Sequence, residues 1–220
     1  MAMGKVLSFF SSKGGVGKST LILLVAYWYG RNGKRVLVLD SDAGLSITGW
    51  GKKRLLRNGR NDIPFTIAEI EAFSTKTRGL RGDDREWDLV VIDCPPLFDE
   101  IGELTLRISD AIVTPVNLGD FDVDRLEMMQ SREVFAQCPK LVVINRVSYW
   151  NLDGGQLELE RIKNCCHAMQ CQYVILGDRK EFRQIARGIM PWDTRRFRLF
   201  KTDFFKELDS LLKGVESLIQ

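Results

Sequence analysis

A glycine-rich stretch near the start of the chain carries the residue types that bind phosphate. It runs from Ser11 to Thr20 with the sequence SSKGGVGKST, between an apolar run (Val6 to Phe10) and a helix-like run (Leu21 to Tyr29). Glycines let backbone N–H groups approach oxyanions, and the N-terminus of the following helix favours negative charge. The stretch therefore predicts a strand, a phosphate cradle and a helix, and with them a bound nucleoside triphosphate. The predicted binding residues are Lys13, Gly14, Gly15, Val16, Gly17, Lys18, Ser19 and Thr20.

Two side chains of this loop have direct tasks. We expect Lys18 to place its charge on the β and γ phosphates, and the Ser19 hydroxyl to complete the ligand shell of a Mg²⁺ ion. Thr20 is the less suitable metal ligand.

A second lysine, Lys13, sits at the entrance of the loop, after Ser12 in the place of the usual first glycine. A lysine at that point cannot easily fold back onto its own cradle, so it is free to reach a phosphate held by another subunit. This predicts a homodimer with nucleotide between the protomers. The alternative is a solvated loop cation.

Three motifs in order resemble the ParA/MinD family of deviant Walker A ATPases. KGGVGKST (Lys13–Thr20) is similar to the family's phosphate loop, whose first lysine acts across the dimer. RVLVLDSD (Arg35–Asp42) resembles its second strand with a DxD ending, and DLVVIDCPP (Asp88–Pro96) its Walker B strand. The resemblance implies a P-loop NTPase fold, ATP and Mg²⁺ as cofactors, and ATP hydrolysis.

Two apolar runs end in aspartates, Asp40 and Asp93, which buried parallel strands would deliver to the ligand-binding edge of a sheet. We expect both at the Mg²⁺ and its waters. Asp42 lies two residues beyond Asp40, and the resemblance implies that it orients the attacking water; the alternative is a helix cap. The predicted catalytic residues are Lys13, Lys18 and Asp42.

The chain departs from the family at Ala43, where DxDPQ is common. Losing a proline loosens the backbone where a switch must move on hydrolysis. Pro95 and Pro96 keep the family's second switch.

Asn145 and Arg146 close another apolar run, where the resemblance places an Asn/Arg pair on the adenine. An amide offers the purine edge a donor and an acceptor, and a guanidinium can stack on its face. The alternative is a turn residue followed by a surface arginine.

The chain has 220 residues, 45% of them apolar and 28% charged, which fits one ATPase domain over residues 1–220. No apolar run approaches the ~20 residues of a membrane span, and no signal peptide precedes the first strand. We expect a cytoplasmic protein without an N-terminal helix-turn-helix domain, and hence no sequence-specific operator binding.

Strands and helices are expected to alternate, which favours an α/β fold with a doubly wound, mostly parallel sheet flanked by helices. Further buried strands are predicted at 111–116, 141–144 and 173–176. A short strand near Phe65 and a helix are expected between Gly59 and Asp84. Helices are predicted at 99–107, 122–137, 155–169, 180–187 and 202–219.

Positive charge concentrates between Arg179 and Lys201, a segment that contains eight basic and two acidic residues. The net charge of the whole chain is only +3. Interleaved aromatic residues could anchor this segment while its arginines face outward. Such patches bind phosphate backbones without reading sequence; the alternative is a solvated face. The predicted DNA contacts are Arg179, Lys180, Arg183, Arg187, Arg195, Arg196 and Arg198. A second basic run comprises Lys52, Lys53, Arg54, Arg57 and Arg60.

The five cysteines lack a second CxxC-type pair for zinc and the glycine-rich surroundings of an iron–sulfur reductase. We expect reduced, mostly buried thiols. The C-terminal stretch has apolar residues at helical spacing, like the membrane helix of MinD-like proteins. Its polar face mixes both charges, which favours docking onto the domain.

These features favour a small ParA-type ATPase that segregates plasmid or chromosomal DNA. The resemblance implies an ATP-sandwich dimer on nonspecific nucleoid DNA, released when a cargo-bound adaptor stimulates hydrolysis. A ParA-like ATPase that positions a protein cargo, such as a bacterial microcompartment, stays open, as do a MinD-like membrane-surface ATPase and a metabolic ATP-dependent ligase.

Overall fold

In the part of the chain that the structure describes, a fully parallel sheet of seven strands forms the centre of the fold. The computed structural model describes residues 4–11, 13–41, 44, 46–58, 63–69, 87–95, 100–148, 155–193 and 200–220. Within these ranges the strands are β1 (Lys5–Phe9), β2 (Val36–Asp40), β3 (Thr66–Glu69), β4 (Leu89–Asp93), β5 (Ala111–Asn117), β6 (Lys140–Val147) and β7 (Gln172–Gly177).

The order of strands across the sheet is β3-β2-β4-β1-β5-β6-β7. The strand that precedes the glycine-rich loop, β1, therefore lies in the middle, between β4 and β5. Asp93 pairs in register with Phe9 of β1 on one side and with Asp40 of β2 on the other. The predicted metal carboxylates thus end neighbouring strands at the same edge.

Alternation along the strands gives the sheet two buried faces. Leu7 and Phe9 of β1 join one apolar cluster. Val6 of β1 and Phe10, the residue after the strand, join the cluster on the opposite face. All-parallel sheets occur almost only where helices cover both faces, and strands that are buried on both faces are apolar on both. This arrangement explains why the strand sequences are almost continuously apolar.

Helices cover both faces. The face that carries Leu7 packs against α1 and α8, and the other packs against α3, α4, α5 and α6. In the described residues the helices are α1 (Lys18–Arg31), α2 (Ser46–Asn58), α3 (Glu100–Ile108), α4 (Asp120–Gln130), α5 (Glu133–Gln137), α6 (Gln156–Ala168), α7 (Lys180–Ala186) and α8 (Thr202–Ile219). The predicted α/β fold with a doubly wound parallel sheet is confirmed.

The single helix predicted at 122–137 is wrong: the structure has α4 and α5, separated at Ser131 and Arg132. The Ser131 hydroxyl donates to the carbonyl of Met128, and Arg132 takes an extended conformation. The turn lets Phe135 reach the core, where its side chain is fully buried. Burial of a phenyl ring outweighs continuation of the helix, and no glycine or proline announces the break.

The strand expected near Phe65 is confirmed as β3. The helix expected before Asp84 falls largely on residues 59–62 and 70–86, which lie outside the described residues.

The C-terminal helix α8 docks on the sheet, as its mixed charges predicted. It packs against β5, β6 and β7, and Phe204, Leu211 and Val215 are fully buried. A Cβ at Gly214 would lie 2.9 Å from a methyl group of Leu141, so glycine allows the close approach. In the ranges described, no helix has both the length and the apolar composition that a bilayer crossing requires.

Candidate nucleotide-binding site

The glycine-rich loop joins β1 to α1 at the middle of the sheet's carboxyl edge. Gly15 and Gly17 have φ angles of 78° and 100°, in the left-handed region that side chains disfavour. The Ser11 hydroxyl donates to the carbonyl of Lys13 over 2.9 Å and supports the start of the turn. The helix then begins at Lys18, so its first N–H groups open toward the cradle that the sequence predicted.

Lys18 and Ser19 converge on Asp93. The Lys18 ammonium lies 3.5 Å from Asp93 Oδ1, and the Ser19 hydroxyl donates to Asp93 Oδ2 over 2.9 Å. The side chains of Lys18 and Asp93 are 7% and 0% exposed. Because this pair is removed from water, each charge depends on the other for its stabilisation, and separating the two groups would be costly. Three of the predicted residues are therefore brought together by contact.

Asp40 lies beside them at the end of β2 and is also buried. Its Oδ2 accepts a hydrogen bond from the backbone N–H of Thr48, over 3.0 Å, in the first turn of α2. Its Oδ1 is buried without a hydrogen-bond partner among the described residues. Asp40 thus positions α2 as well as offering an oxygen to a ligand.

The residues present fit a Mg²⁺ ion. Ser19, Asp40 and Asp93 supply a hydroxyl and two carboxylates, which are the hard oxygen ligands that this ion prefers. The unsatisfied buried oxygen of Asp40 is the observation in favour, because such an atom is costly unless a ligand meets it.

Lys13 is held within its own chain. Its ammonium lies 2.8 Å from Oδ2 of Asp122, in the first turn of α4. The Lys13 side chain is 45% exposed and that of Asp122 is 6% exposed. Lys13 is therefore exposed to solvent but paired within its own chain, and its contact with nucleotide across a dimer stays a prediction.

Asn145 supports the loop from β6, which lies two strands away from β1 in the sheet. Its amide nitrogen donates to the carbonyl of Val16 over 2.7 Å, and a Cβ at Gly17 would overlap that nitrogen. Arg146 follows in the left-handed region, with a φ angle of 57°, and is exposed. The adenine contact predicted for this pair stays a prediction.

Two adjoining cavities lie along the loop. One, of about 310 Å³, is lined by the loop from Gly14 to Thr20 and by Trp50. The other, of about 460 Å³, is lined by Asn145, Asp178 and Phe182. Arg146 and Gly17 line both. Volumes of this order are typical of small-ligand sites. The glycine-rich loop lines the first cavity, and the Phe182 ring contributes to the second.

The first part of the basic segment borders the second cavity. Arg179 and Arg183 both line it. Arg179 is bound by Glu207 through contacts of 2.6 and 2.9 Å, so its charge is already balanced and the geometry does not support it as a DNA contact. Lys180, Arg183 and Arg187 are exposed. Arg195, Arg196 and Arg198 lie outside the described residues.

Aromatic residues anchor this segment, as expected. Trp192 stacks on Tyr27 at 5.6 Å between ring centroids, and Phe182 packs edge-on against Phe204 at 5.3 Å. Phe200 is buried as well.

Arg54 belongs to the second basic run of the sequence, but the expectation that this run forms an exposed patch is wrong for Arg54. Its side chain is fully buried. The guanidinium donates to both carboxylate oxygens of Asp193, to the carbonyl of Gly188 and to the Tyr27 hydroxyl. Its five donors in a planar fork explain why arginine is used here. Lys52 and Lys53 are exposed.

The cysteines contribute no ligand set to the site. Cys94 follows Asp93 directly, and burial, followed by the nearby Asp93 charge, raises the pKa of its thiol to about 12. Among the described residues, no three His, Cys, Asp or Glu side chains are grouped for a metal ion.

Two residues of the site escaped the sequence reasoning. Asp122 lies 109 residues from Lys13, and Thr48 contributes only its backbone N–H. The available signal for Asp122 was an aspartate in the first turn of the helix after β5, the strand beside β1. The predicted water-orienting residue, Asp42, lies outside the described residues, as does Ala43.

Residues 7–192 match the family model described as the CobQ/CobB/MinD/ParA nucleotide binding domain. The chain belongs to this family. The predicted relation to ParA and MinD is therefore confirmed, and with it the binding of nucleotide as the family's shared property.

Among curated proteins, the chain is 28% identical to the sporulation initiation inhibitor protein Soj of Bacillus subtilis over 162 residues. This alignment spans 58% of the chain and 64% of Soj, so less than two thirds of that relative is covered.

Two solved structures share the fold over almost the whole chain. A plasmid partition protein of Borrelia burgdorferi bound to AMPPNP has a TM-score of 0.70 at 18% identity, covering 97% of this chain and 99% of that one. An ATP complex of a McdA variant of Cyanothece has a TM-score of 0.73 at 15% identity, covering 98% of both chains.

Proposed function

We propose that this protein is an ATP-dependent partition ATPase whose residues 1–220 form one domain. It binds ATP with Mg²⁺ and closes into a homodimer with nucleotide between the protomers. The dimer holds double-stranded DNA without sequence preference, and a cargo-bound adaptor stimulates hydrolysis and release. The cargo is plasmid or chromosomal DNA, and the protein is cytoplasmic and nucleoid-associated.

The observation that carries this proposal is the convergence of Lys18 and Ser19 on Asp93, beneath a loop that has a second lysine at its entrance. A phosphate cradle with one lysine suits many nucleotide-binding proteins. Lys13 is the additional cation, and its side chain is exposed enough to leave its contact with Asp122 and reach a partner subunit.

Each residue then has a task in hydrolysis. Lys18 holds the β and γ phosphates, while Ser19, Asp40 and Asp93 hold the metal. The bound Mg²⁺ neutralises charge that develops on the phosphate oxygens. Lys13 adds positive charge from the partner, and Asp42 orients the attacking water.

The surface charges favour DNA over a membrane as the support. Lys180, Arg183 and Arg187 are exposed on or beside α7, and dimerisation doubles such contacts. The apolar side of α8, which an interfacial helix would need for a bilayer, is buried against the sheet.

The test is binding to random-sequence duplex DNA with ATP, with ADP and without nucleotide, over a salt series, together with phosphate release from ATP. We expect binding only with ATP, with a steep loss as salt rises, since each phosphate contact releases counterions. Phosphate release without DNA binding in any state would leave an ATPase but remove the partition function.

A matched pair of variants locates the DNA surface. Lys180→Glu with Arg187→Glu should weaken DNA binding by about 10-fold or more. The slope of log affinity against log salt concentration should fall by the equivalent of about two phosphate contacts. Lys206→Glu with Lys213→Glu makes the same change of charge on α8, where both lysines pair with acids of their own helix. Equal losses from the two pairs would mean that net charge, and not a surface on α7, governs DNA binding.

A further inference from the structure

The ion pair between Lys13 and Asp122 is a contact for which the nucleotide cradle itself has no use. It joins the entrance of the loop to the first turn of α4 through a single 2.8 Å hydrogen bond. The pair therefore lies beside the cradle, at the same edge of the sheet, and it engages the lysine that the proposed dimer would send to the partner's phosphate.

The two partners differ in their freedom to move. Asp122 is nearly fully buried on a helix, whereas Lys13 is half exposed on a loop and has a long, flexible side chain. Lys13 can swing away without unfolding anything, while the carboxylate must stay. A buried carboxylate left alone is ordinarily costly.

The position of Asp122 reduces that cost. It lies in the first turn of α4, where the unpaired N–H groups and the helix dipole favour a negative charge. Release of Lys13 therefore leaves the carboxylate in a tolerable environment, and the ion pair can open reversibly.

The neighbouring acids of α4 do not share this arrangement. Asp120 and Asp124 are 72% and 54% exposed, and both lie near Arg161 of α6, at 3.9 and 2.7 Å. Among the described contacts, Asp122 is the carboxylate of α4 that reaches the loop. Its contact is not a general property of an acidic helix.

We propose that Asp122 is a positioning residue that holds Lys13 within its own protomer, and that dimerisation around ATP exchanges this ion pair for the partner's nucleotide. The inference rests on the proposed function, since it needs the dimer. Asp122 then competes with the phosphate for Lys13, which weakens the dimer and helps it to separate once the γ phosphate is lost.

The first test measures dimerisation with AMPPNP, which removes hydrolysis from the experiment. Asp122→Asn keeps the shape of the side chain and removes its charge. We expect its dimer to form at about 5-fold lower protein concentration than that of the wild type, as the loss of a half-exposed ion pair would give. Asp124→Asn, which removes the same charge from the same helix, should change the midpoint by less than about twofold. Sedimentation velocity supplies the midpoints.

The second test does not need a dimer. Acetic anhydride labels free amines, and peptide mass spectrometry gives the rate at Lys13 relative to that at the exposed Lys34. Without nucleotide, we expect Asp122→Asn to raise the relative rate about 3-fold or more, and Asp122→Glu to restore protection in part. A merely structural role of Asp122 in α4 would not change the labelling of Lys13.

The outcomes separate the two proposals. An unchanged labelling rate, or a dimer that is unaffected or weakened by Asp122→Asn, overturns the competition between Asp122 and phosphate. A wild-type protein that stays monomeric with AMPPNP overturns the proposed dimer and the exchange with it, while the labelling still decides whether Asp122 holds Lys13.

Discussion

The two ends of β4 carry the same kind of contact in different surroundings. At the amino end, Asp88 accepts hydrogen bonds from the Arg35 guanidinium at 2.9 and 3.3 Å and from the Arg35 backbone at 2.8 Å. At the carboxyl end, Asp93 meets Lys18 and Ser19. Asp88 and Arg35 are 35% and 58% exposed, whereas Asp93 and Lys18 are 0% and 7% exposed.

Burial strengthens the electrostatic effect that an aspartate and a cation have on their surroundings. Water screens the pair at the amino end, which ties the starts of β2 and β4 together and nothing more. At the carboxyl end water is largely excluded, so each fixed charge acts strongly on a neighbouring ligand. The parallel sheet collects loops and helix N-termini at this second edge, and function follows from that position.

Removing Lys18 should have the largest effect on nucleotide binding. Lys18→Ala takes away the cation of the phosphate cradle and with it the ammonium that lies 3.5 Å from the buried Asp93 carboxylate. We expect ATP affinity to fall by about 100-fold or more, which corresponds to about 3 kcal/mol. Isothermal titration calorimetry with Mg²⁺ and ATP measures the change, and circular dichroism confirms that the fold is kept.

Lys34→Ala is the matched control, because Lys34 is exposed just before β2. It should leave ATP affinity within about twofold. If Lys18→Ala bound ATP as tightly as this control, the buried Lys18–Asp93 pair would contribute no more to ATP binding than an exposed lysine does.

Arg54 tests whether a buried ion pair that lies away from the glycine-rich loop contributes to ATP binding. Its pair with Asp193 is largely buried, like that of Lys18, but it joins α2 to the segment that follows α7. Arg54→Met should lower the free energy of unfolding by about 3 kcal/mol, because Asp193 and the Gly188 carbonyl lose their buried partner. Urea denaturation measures the loss.

Lys53→Met serves as the control, since Lys53 is the exposed neighbour of Arg54; its cost should stay within about 0.5 kcal/mol. Where Arg54→Met is still folded, ATP affinity should change by less than about twofold. A large loss of ATP affinity at unchanged stability would move Arg54 from the scaffold into the site.

Much of this arrangement could be predicted from the sequence because each of the patterns that produce it is local. Glycines at fixed spacing from Lys18, and apolar runs that end in Asp40 and Asp93, place those residues at one edge once the sheet is parallel. The helix Thr202–Ile219 has the predicted bounds, since its apolar spacing continues without interruption.

The remaining features depend on distant parts of the chain. Arg54 lies in a run of basic residues that looks like a surface, and only the fold brings Asp193 to it from 139 residues away. Composition cannot distinguish one buried arginine among exposed lysines. The pairing of Arg179 with Glu207 was missed for the same reason, because opposite charges 28 residues apart meet only after α8 docks.

Asp88 should show the smallest effect, and the pH at which it disappears identifies its cause. Hydrogen bonds from Arg35 lower the pKa of Asp88 from 3.8 to about 2. Because the folded protein binds this proton more weakly than the unfolded chain, the ion pair stabilises the fold above about pH 4, and the stabilisation is lost as the pH falls from there toward 2. Asp88→Asn should therefore lower the free energy of unfolding by about 0.5 kcal/mol at neutral pH, since exposure to solvent limits the gain.

The difference between the wild type and Asp88→Asn, measured by urea denaturation, should shrink as the pH falls below about 4. Glu103→Gln is the control, because Glu103 pairs with Arg107 on the exposed side of α3 and links no strands. A cost for Asp88→Asn of about 3 kcal/mol would place the amino end of β4 in the same class as the buried carboxyl end. A cost that stayed constant down to pH 3 would show that Asp88 stabilises the strand start by its shape and not by its charge.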